Sequence, residues 1–215
     1  MKFDKKHLTL YAITDSQWLN GRSLEHDVEL AIKNGATMIQ VREKKLNPQD
    51  FMKLAANIKK ITARYHIPML INDDVDVAIA CDADGVHVGQ HDMEAGLTRK
   101  KLGPNKIIGV SADTVERALN AEKMGADYIG VGAVFSTSTK LDASAVTRKE
   151  LKAICKAVSI PVVAIGGITA ENIIELSGTG IAGISVISAI FAQPDIAQAT
   201  RQLAANTKRM LANDA

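Results

Sequence analysis

Residues 40–44 read Gln-Val-Arg-Glu-Lys, an amide and two cations at alternate positions. In an extended strand, residues of one parity share a face, so Gln40, Arg42 and Lys44 point together while Val41 and Glu43 point the other way. That cluster suits an anion with several oxygens. Pairing of Arg42 and Lys44 with Glu43 or another nearby acid would explain an isolated R-x-K equally well. The third polar group, Gln40, favours binding.

Acids complete the pattern. Two apolar runs end in Asn72-Asp73-Asp74 and, a little after Gly89, in Gln90-His91-Asp92. Mg2+ takes one or two carboxylates together with water and substrate phosphate oxygens, so Asp73 and Asp92, on separate loops, are candidate metal ligands. Each has a competing role as a helix cap: Asp73 or Asp74 before VDVAIA, and Asp92 before the helix that follows it. The expected division makes Asp73 a ligand and Asp74 the cap, because Asp73 directly follows Asn72 at the strand end.

A third group is rich in hydroxyls and glycine. Ser111 ends KIIGVS, and the segment FSTSTK supplies Thr137, Thr139 and Lys140. Gly166 and Gly167 in VAIGGIT allow close backbone approach, and N–H groups there and around Ile187 and Ser188 suit an anion; a Gly-Gly pair that only turns the chain is the simpler alternative. Together the basic, acidic and hydroxyl-bearing groups fit one substrate with a single phosphate and another with a metal-bound polyphosphate. His87, in the middle of GVHVG, is expected to be a hydrogen-bonded core histidine rather than a catalytic one, and His91 is the slightly better candidate. Met38, Met52, Met69 and Met124 read as core filler. No role is assigned to Cys81 or Cys155.

These residues need a scaffold that gathers strand ends. Eight short apolar segments recur: 8–13, 37–42, 68–72, 85–89, 106–111, 128–132, 161–167 and 183–188, each followed by a helical pattern. Nearly continuous apolar runs are the mark of parallel strands covered on both faces. Start and stop signals frame the helices: Ser23 and Gly35, Asp113 or Thr114 and Gly125, and Thr169 before AENIIEL. With no linker or composition break, the expected architecture is an α/β fold, a single-domain (β/α)8 TIM barrel over residues 1–215. A doubly wound sheet also alternates strands and helices, but neither G-x-G-x-x-G after the first strand nor a Walker-type loop occurs. In such a barrel chemistry sits at the carboxyl ends of the strands, where all the residues above fall.

Composition narrows the class. The 215 residues are 47% hydrophobic and 23% charged, with a net charge of +2, which suits a globular protein and is too small to imply a nucleic-acid surface. The opening MKFDKKHLTLYAITD is not read as a signal peptide, and no segment is long enough to span a bilayer. Two cysteines without ligand spacing make neither a metal site nor a disulfide framework. The expected setting is the cytoplasm, with small phosphorylated molecules as partners, no membrane and no nucleic acid. A homo-oligomer is compatible with the sequence.

The motifs LYAITD, QVREK, INDD, GVHVGQHD, IGVSA, GADYIGVGAVFSTSTK, PVVAIGGIT and GISVISAI occur in register over most of the chain. In this order they resemble the thiamine phosphate synthase (thiamine-phosphate pyrophosphorylase) family. The resemblance implies a transferase that joins 4-amino-5-hydroxymethyl-2-methylpyrimidine diphosphate to a thiazole phosphate, releasing pyrophosphate. It implies that Gln40, Arg42, Lys44, Asn72, Ser111 and Lys140 contact the pyrimidine diphosphate and that Asp73 and Asp92 hold Mg2+. It also implies that Thr137 and Thr139, with backbone at Gly167, Ile187 and Ser188, hold the thiazole phosphate. Catalysis would rest on Arg42, Lys44, Ser111 and Lys140. The chain departs from the family where Ser136 replaces a frequent Pro and Val41 a frequent Leu. A related thiazole tautomerase should lack the complete diphosphate and metal set present here. A ligand sensor or a Schiff-base aldolase using Lys44 or Lys140 would be revealed by binding without turnover or by borohydride trapping.

Overall fold

The computed structural model describes residues 3–137 and 145–213. Eight parallel strands close into one ring: β1 (Leu10–Ile13), β2 (Met38–Val41), β3 (Met69–Asn72), β4 (Gly85–Val88), β5 (Ile107–Ser111), β6 (Tyr128–Val131), β7 (Val162–Ile165) and β8 (Gly183–Val186). Each pairs with the next in sequence, and β8 returns to β1 through Tyr11 opposite Ser185. The TIM barrel expected from the repeating apolar segments is the observed fold, with strand limits shifted by one or two residues.

Helices cover the outside: α1 (Leu24–Lys33), α2 (Pro48–Arg64), α3 (Val75–Ala80), α4 (Ala95–Leu102), α5 (Val115–Lys123), α6 (Arg148–Ala157), α7 (Ser188–Phe191) and α8 (Ile196–Ala212). Ser23 caps α1 by accepting from the His26 N–H, Asp74 caps α3 by accepting from Val77, and Thr114, not Asp113, caps α5. One expected cap, Thr169, is not formed as a helix start, and the competing cap role of Asp92 is not realised. Thr169 starts no α-helix, because the chain after β7 makes only a 3-10 turn at Ile173–Leu176; its hydroxyl accepts weakly from Glu171 and Asn172 instead. Glu94 stands at the start of α4 without a side-chain cap, and Asp92 turns back to accept from the Gly89 N–H at 2.7 Å.

Alternation along each strand divides the apolar residues between two cores. Outward residues such as Ala12, Ile39, Val41, Ile71, Val86, Ile108 and Ile129 pack against helical Val28, Ile58, Leu151, Ile154 and Leu203. Inward residues of opposite parity, Tyr11, Ile13, Met38, Leu70, Ile107, Tyr128 and Val163, fill the lumen with Leu8. At the amino ends of the strands, carboxylates bind neighbouring strands together. Asp84 accepts from the Met69 N–H at 2.8 Å and Asp127 from the Ile108 N–H at 2.7 Å, backed by Lys59 and Arg99.

The lumen holds two phenol rings only because neighbouring strands leave space. Gly109 sits opposite both His87 and Tyr128 in register, and a Cβ there would overlap the Tyr128 ring and hydroxyl. Gly109→Ala is therefore expected to destabilise the fold by about 1–3 kcal/mol, the usual range for overpacking a tight core. A lowered denaturant midpoint at unchanged slope checks it.

Candidate active site

At the carboxyl ends of the strands the lumen opens into a cavity of about 560 Å³. Its wall contains Gln40, Arg42 and Lys44 from the end of β2, Asn72 and Asp73 from β3, Asp92 from the loop after β4 and Ser111 from β5. Thr137, Gly167, Ile187 and Ser188 line the opposite side. Every described candidate residue from the sequence thus meets in one place. Thr139 and Lys140 lie outside the described residues.

The basic residues are held by acids other than Glu43. Arg42 donates to Asp15 at 2.8 Å, a carboxylate only 8% exposed that also takes both the side-chain and backbone N–H groups of Gln17. Thr14 stitches the same strand end, its hydroxyl accepting from the Arg42 N–H at 3.0 Å. Lys44 reaches Asp73 at 2.8 Å. Glu43, facing away, accepts from Ser16 and from the Lys44 and Lys45 N–H groups; partial burial works against its ionisation, but the Ser16 hydroxyl and then the backbone N–H groups outweigh it and hold the carboxyl below its ordinary range. Charge pairing thus orients the cations without removing them from the cavity wall.

Asp73 occupies the left-handed region at φ 63, a conformation that Asp tolerates better than most residues. Its carboxylate accepts from Lys44 and, at 2.6 Å, from the Asn72 amide. Partial desolvation raises the pKa of Asp92, and the adjacent Asp73 carboxylate raises it further, against the pull of the Gly89 N–H and Lys44. Two carboxylates close enough to oppose each other's ionisation, beside an open cavity, form a donor set that fits Mg2+ with water and phosphate oxygens filling the remaining positions.

On the far side, Gly166 and Gly167 have φ of 98 and 66. A Cβ on Gly167 would strike the Phe135 and Ser136 carbonyls, so glycine lets the β7 loop lie against the chain leading to Thr137. The Phe135 N–H donates to the Gly166 carbonyl at 3.0 Å, which holds the two loops together. This is where the turn-only reading of the Gly-Gly pair falls short: the pair both turns the chain and builds the cavity wall.

The thiamine monophosphate synthase family model matches residues 10–190, nearly the whole barrel. The chain belongs to this family. It is 54% identical to the thiamine-phosphate synthase of Ruminiclostridium cellulolyticum over 195 residues, 91% of this chain and 93% of that one. It is 51% identical to the thiamine-phosphate synthase of Methanobrevibacter smithii over 85% of this chain and 87% of that one. Among solved structures, thiamine phosphate pyrophosphorylase from Pyrococcus furiosus superposes with a TM-score of 0.89 at 39% identity, covering 96% and 98% of the two chains. As a member of the thiamine monophosphate synthase family the chain is a transferase of thiamine biosynthesis that releases pyrophosphate.

Sequence reasoning missed several residues of this thiamine monophosphate synthase barrel's cavity. Tyr11 lines its floor, and Asp113 and Arg117, paired at 2.6 Å, its rim; Gln90, placed at a strand end by the sequence but given no role, also lines the rim and donates to the Ser111 carbonyl at 2.6 Å. Ser185 also faces the cavity, with a buried hydroxyl that has no partner among the described residues. Parity along β1 and β8 was the available signal: Tyr11 shares a face with Ile13, and Ser185 with Ile187. His87 is hydrogen-bonded, as expected, but it also lines the cavity. Among the described residues no helix is long and apolar enough to cross a membrane.

The opposed carboxylates make a stability prediction. Folding raises the Asp92 pKa, so its ionised form carries a penalty that is full above the folded pKa and fades as pH falls through it toward the ordinary carboxylate value. Asp92→Asn keeps an acceptor for Gly89 and removes the charge. The melting temperature of the ligand-free protein should rise at neutral pH, and the gain should disappear on acidification. A variant melting at or below wild type at pH 7 would contradict the opposition of Asp73 and Asp92.

Proposed function

We propose that the cavity joins 4-amino-5-hydroxymethyl-2-methylpyrimidine diphosphate to a thiazole phosphate, giving thiamine phosphate and pyrophosphate by a dissociative route. The observation that carries this reading is the convergence of two anion-binding arrangements on one cavity, with the cations and carboxylates on the β2 to β5 side and Thr137 with Gly167, Ile187 and Ser188 on the other. Gln40, Arg42, Lys44, Asn72 and Ser111 hold the pyrimidine diphosphate, with Lys140 assigned to the same substrate from the sequence. Thr137, with Thr139 from the sequence and the backbone at Gly167, Ile187 and Ser188, holds the thiazole phosphate.

The chemistry asks for charge stabilisation and alignment rather than a nucleophile. The bond from the pyrimidine methylene carbon to the diphosphate oxygen breaks, and its electron pair leaves with the diphosphate. The electron-rich aminopyrimidine stabilises the methylene cation until the thiazole nitrogen donates its lone pair to form the new C–N bond. Arg42 and Lys44, already oriented by Asp15 and Asp73, meet the negative charge that grows on the departing oxygens. The cavity holds the two rings in line, which lowers the barrier by orientation. Asp73 and Asp92 would hold Mg2+, which supplies further positive charge against the diphosphate.

Mixing both substrates with Mg2+, and omitting each in turn, tests the reading. Pyrophosphate and thiamine phosphate should appear only when both substrates are present; no product with any divalent metal would overturn it. Asp92→Ala is expected to lower kcat about 100-fold, equivalent to about 2.7 kcal/mol in the barrier. Unchanged turnover at saturating Mg2+ would remove Asp92 from the metal site.

A further inference from the structure

A line of polar groups crosses the lumen directly beneath the cavity. The Gln40 amide nitrogen donates to the Tyr11 hydroxyl. The Tyr11 and Tyr128 hydroxyls lie 3.0 Å apart, the Tyr128 hydroxyl is 2.8 Å from His87 Nδ1, and His87 Nε2 is 2.9 Å from Ser111 Oγ. The line therefore runs from β2 through β1, β6 and β4 to β5. Its two ends, Gln40 and Ser111, both face the cavity.

The space for it is built in. Gly109 admits the Tyr128 phenol, and a Cβ on Gly130 would fall 3.0 Å from the His87 ring. Tyr11 meets Tyr128 edge to face with ring centroids 6.0 Å apart, and Phe3 stacks on Tyr128 at the same centroid distance. Both phenols are fully buried, and burial holds them protonated far above neutral pH. Each therefore contributes one proton to the line.

Proton counting then leaves few choices. With Gln40 Nε2 donating to Tyr11, Tyr11 donates to Tyr128 and Tyr128 to His87 Nδ1. His87 must then carry its proton on Nε2 and donate it to Ser111, so the Ser111 proton is left for the cavity. The Gln40 side-chain oxygen, Oε1, which has no partner among the described residues, is left as an acceptor at the other end. Reversing any one link sets two donors or two acceptors against each other in a buried place, at a cost of about 1–3 kcal/mol.

We propose that Tyr11, Tyr128 and His87 are positioning residues that form a polarised hydrogen-bond relay, presenting Gln40 to the substrate as an acceptor and Ser111 as a donor. Under the function proposed above, on which the substrate assignment rests, the acceptor end suits the ring bearing an amino group and the donor end suits a diphosphate oxygen. The relay makes the two ends interdependent: a change of His87 tautomer would turn Ser111 into an acceptor and require the Gln40 amide to flip.

The test reads the tautomer directly. Long-range 1H–15N correlation on ligand-free, 15N-histidine-labelled protein, with His87 assigned by its loss in His87→Gln, should show a neutral ring protonated on Nε2. Tyr128→Phe should mix the two tautomers and lower kcat/KM for the pyrimidine diphosphate about tenfold, while KM for the thiazole phosphate stays unchanged. Tyr11→Phe, broken at a different link, should show the same kinetic split if Tyr128→Phe folds poorly. A wild-type His87 protonated on Nδ1 or on both nitrogens would overturn the relay. So would a folded Tyr128→Phe that keeps both the wild-type tautomer and the wild-type kinetics. Because the spectrum is taken without substrate, a wild-type protein that fails to make thiamine phosphate would sink the proposed reaction alone, and the His87 tautomer would still decide for or against the relay.

Discussion

Closing eight parallel strands into one ring sends every second side chain of each strand toward a single axis, and the rest of the molecule depends on how that axis is filled. The lower part is apolar, with Leu8, Met38, Leu70, Ile107 and Val163. Above it, two phenols and an imidazole replace aliphatic side chains, which glycines at positions 109 and 130 permit. Higher still, residues of the same parity, Gln40 and Arg42 from β2 and Ser111 from β5, reach the cavity. The floor of the site is thus the polar continuation of the core packing, held on strands, while the residues around its mouth stand on the loops that follow them.

Electrostatic pairing around the mouth uses two kinds of acid. Asp15 is buried and pairs only with Arg42 among the cations. Asp73, at the rim, both pairs with Lys44 and opposes Asp92, and Lys44 only partly offsets that repulsion. Like charges of this kind destabilise the free protein and would become favourable with a divalent cation between them, as the proposed function requires. The net charge of the chain says nothing of this arrangement. It arises from loops after β3 and β4, adjacent strands of the ring.

Much of the fold was legible because periodicity is a local property. Eight apolar segments with interleaved helical patterns point to a parallel barrel, and the caps at Ser23 and Asp74 sit where short polar side chains precede apolar runs. Legibility failed where a local signal met a tertiary constraint. Thr169 and the apolar residues after it read as a helix start, yet only a 3-10 turn forms. Asp92 reads equally well as a cap or a ligand; its bond to Gly89 and its closeness to Asp73 belong to the loop's folded path.

The sequence by itself determined which residues stand at strand ends and in the loops after them and which chemistry they bring: three cations, two acids, two amides and hydroxyls, on motifs that resemble one enzyme family throughout. Only the tertiary structure decided their partners. Arg42 binds Asp15 rather than Glu43, and Tyr11, Tyr128 and His87, which look like isolated core residues in their own segments, join across the lumen. The reason is geometric. Alternation along a strand reports which face a side chain occupies, whereas contact across a barrel depends on the register between strands and on the glycines that leave room, and neither exists until the ring has closed.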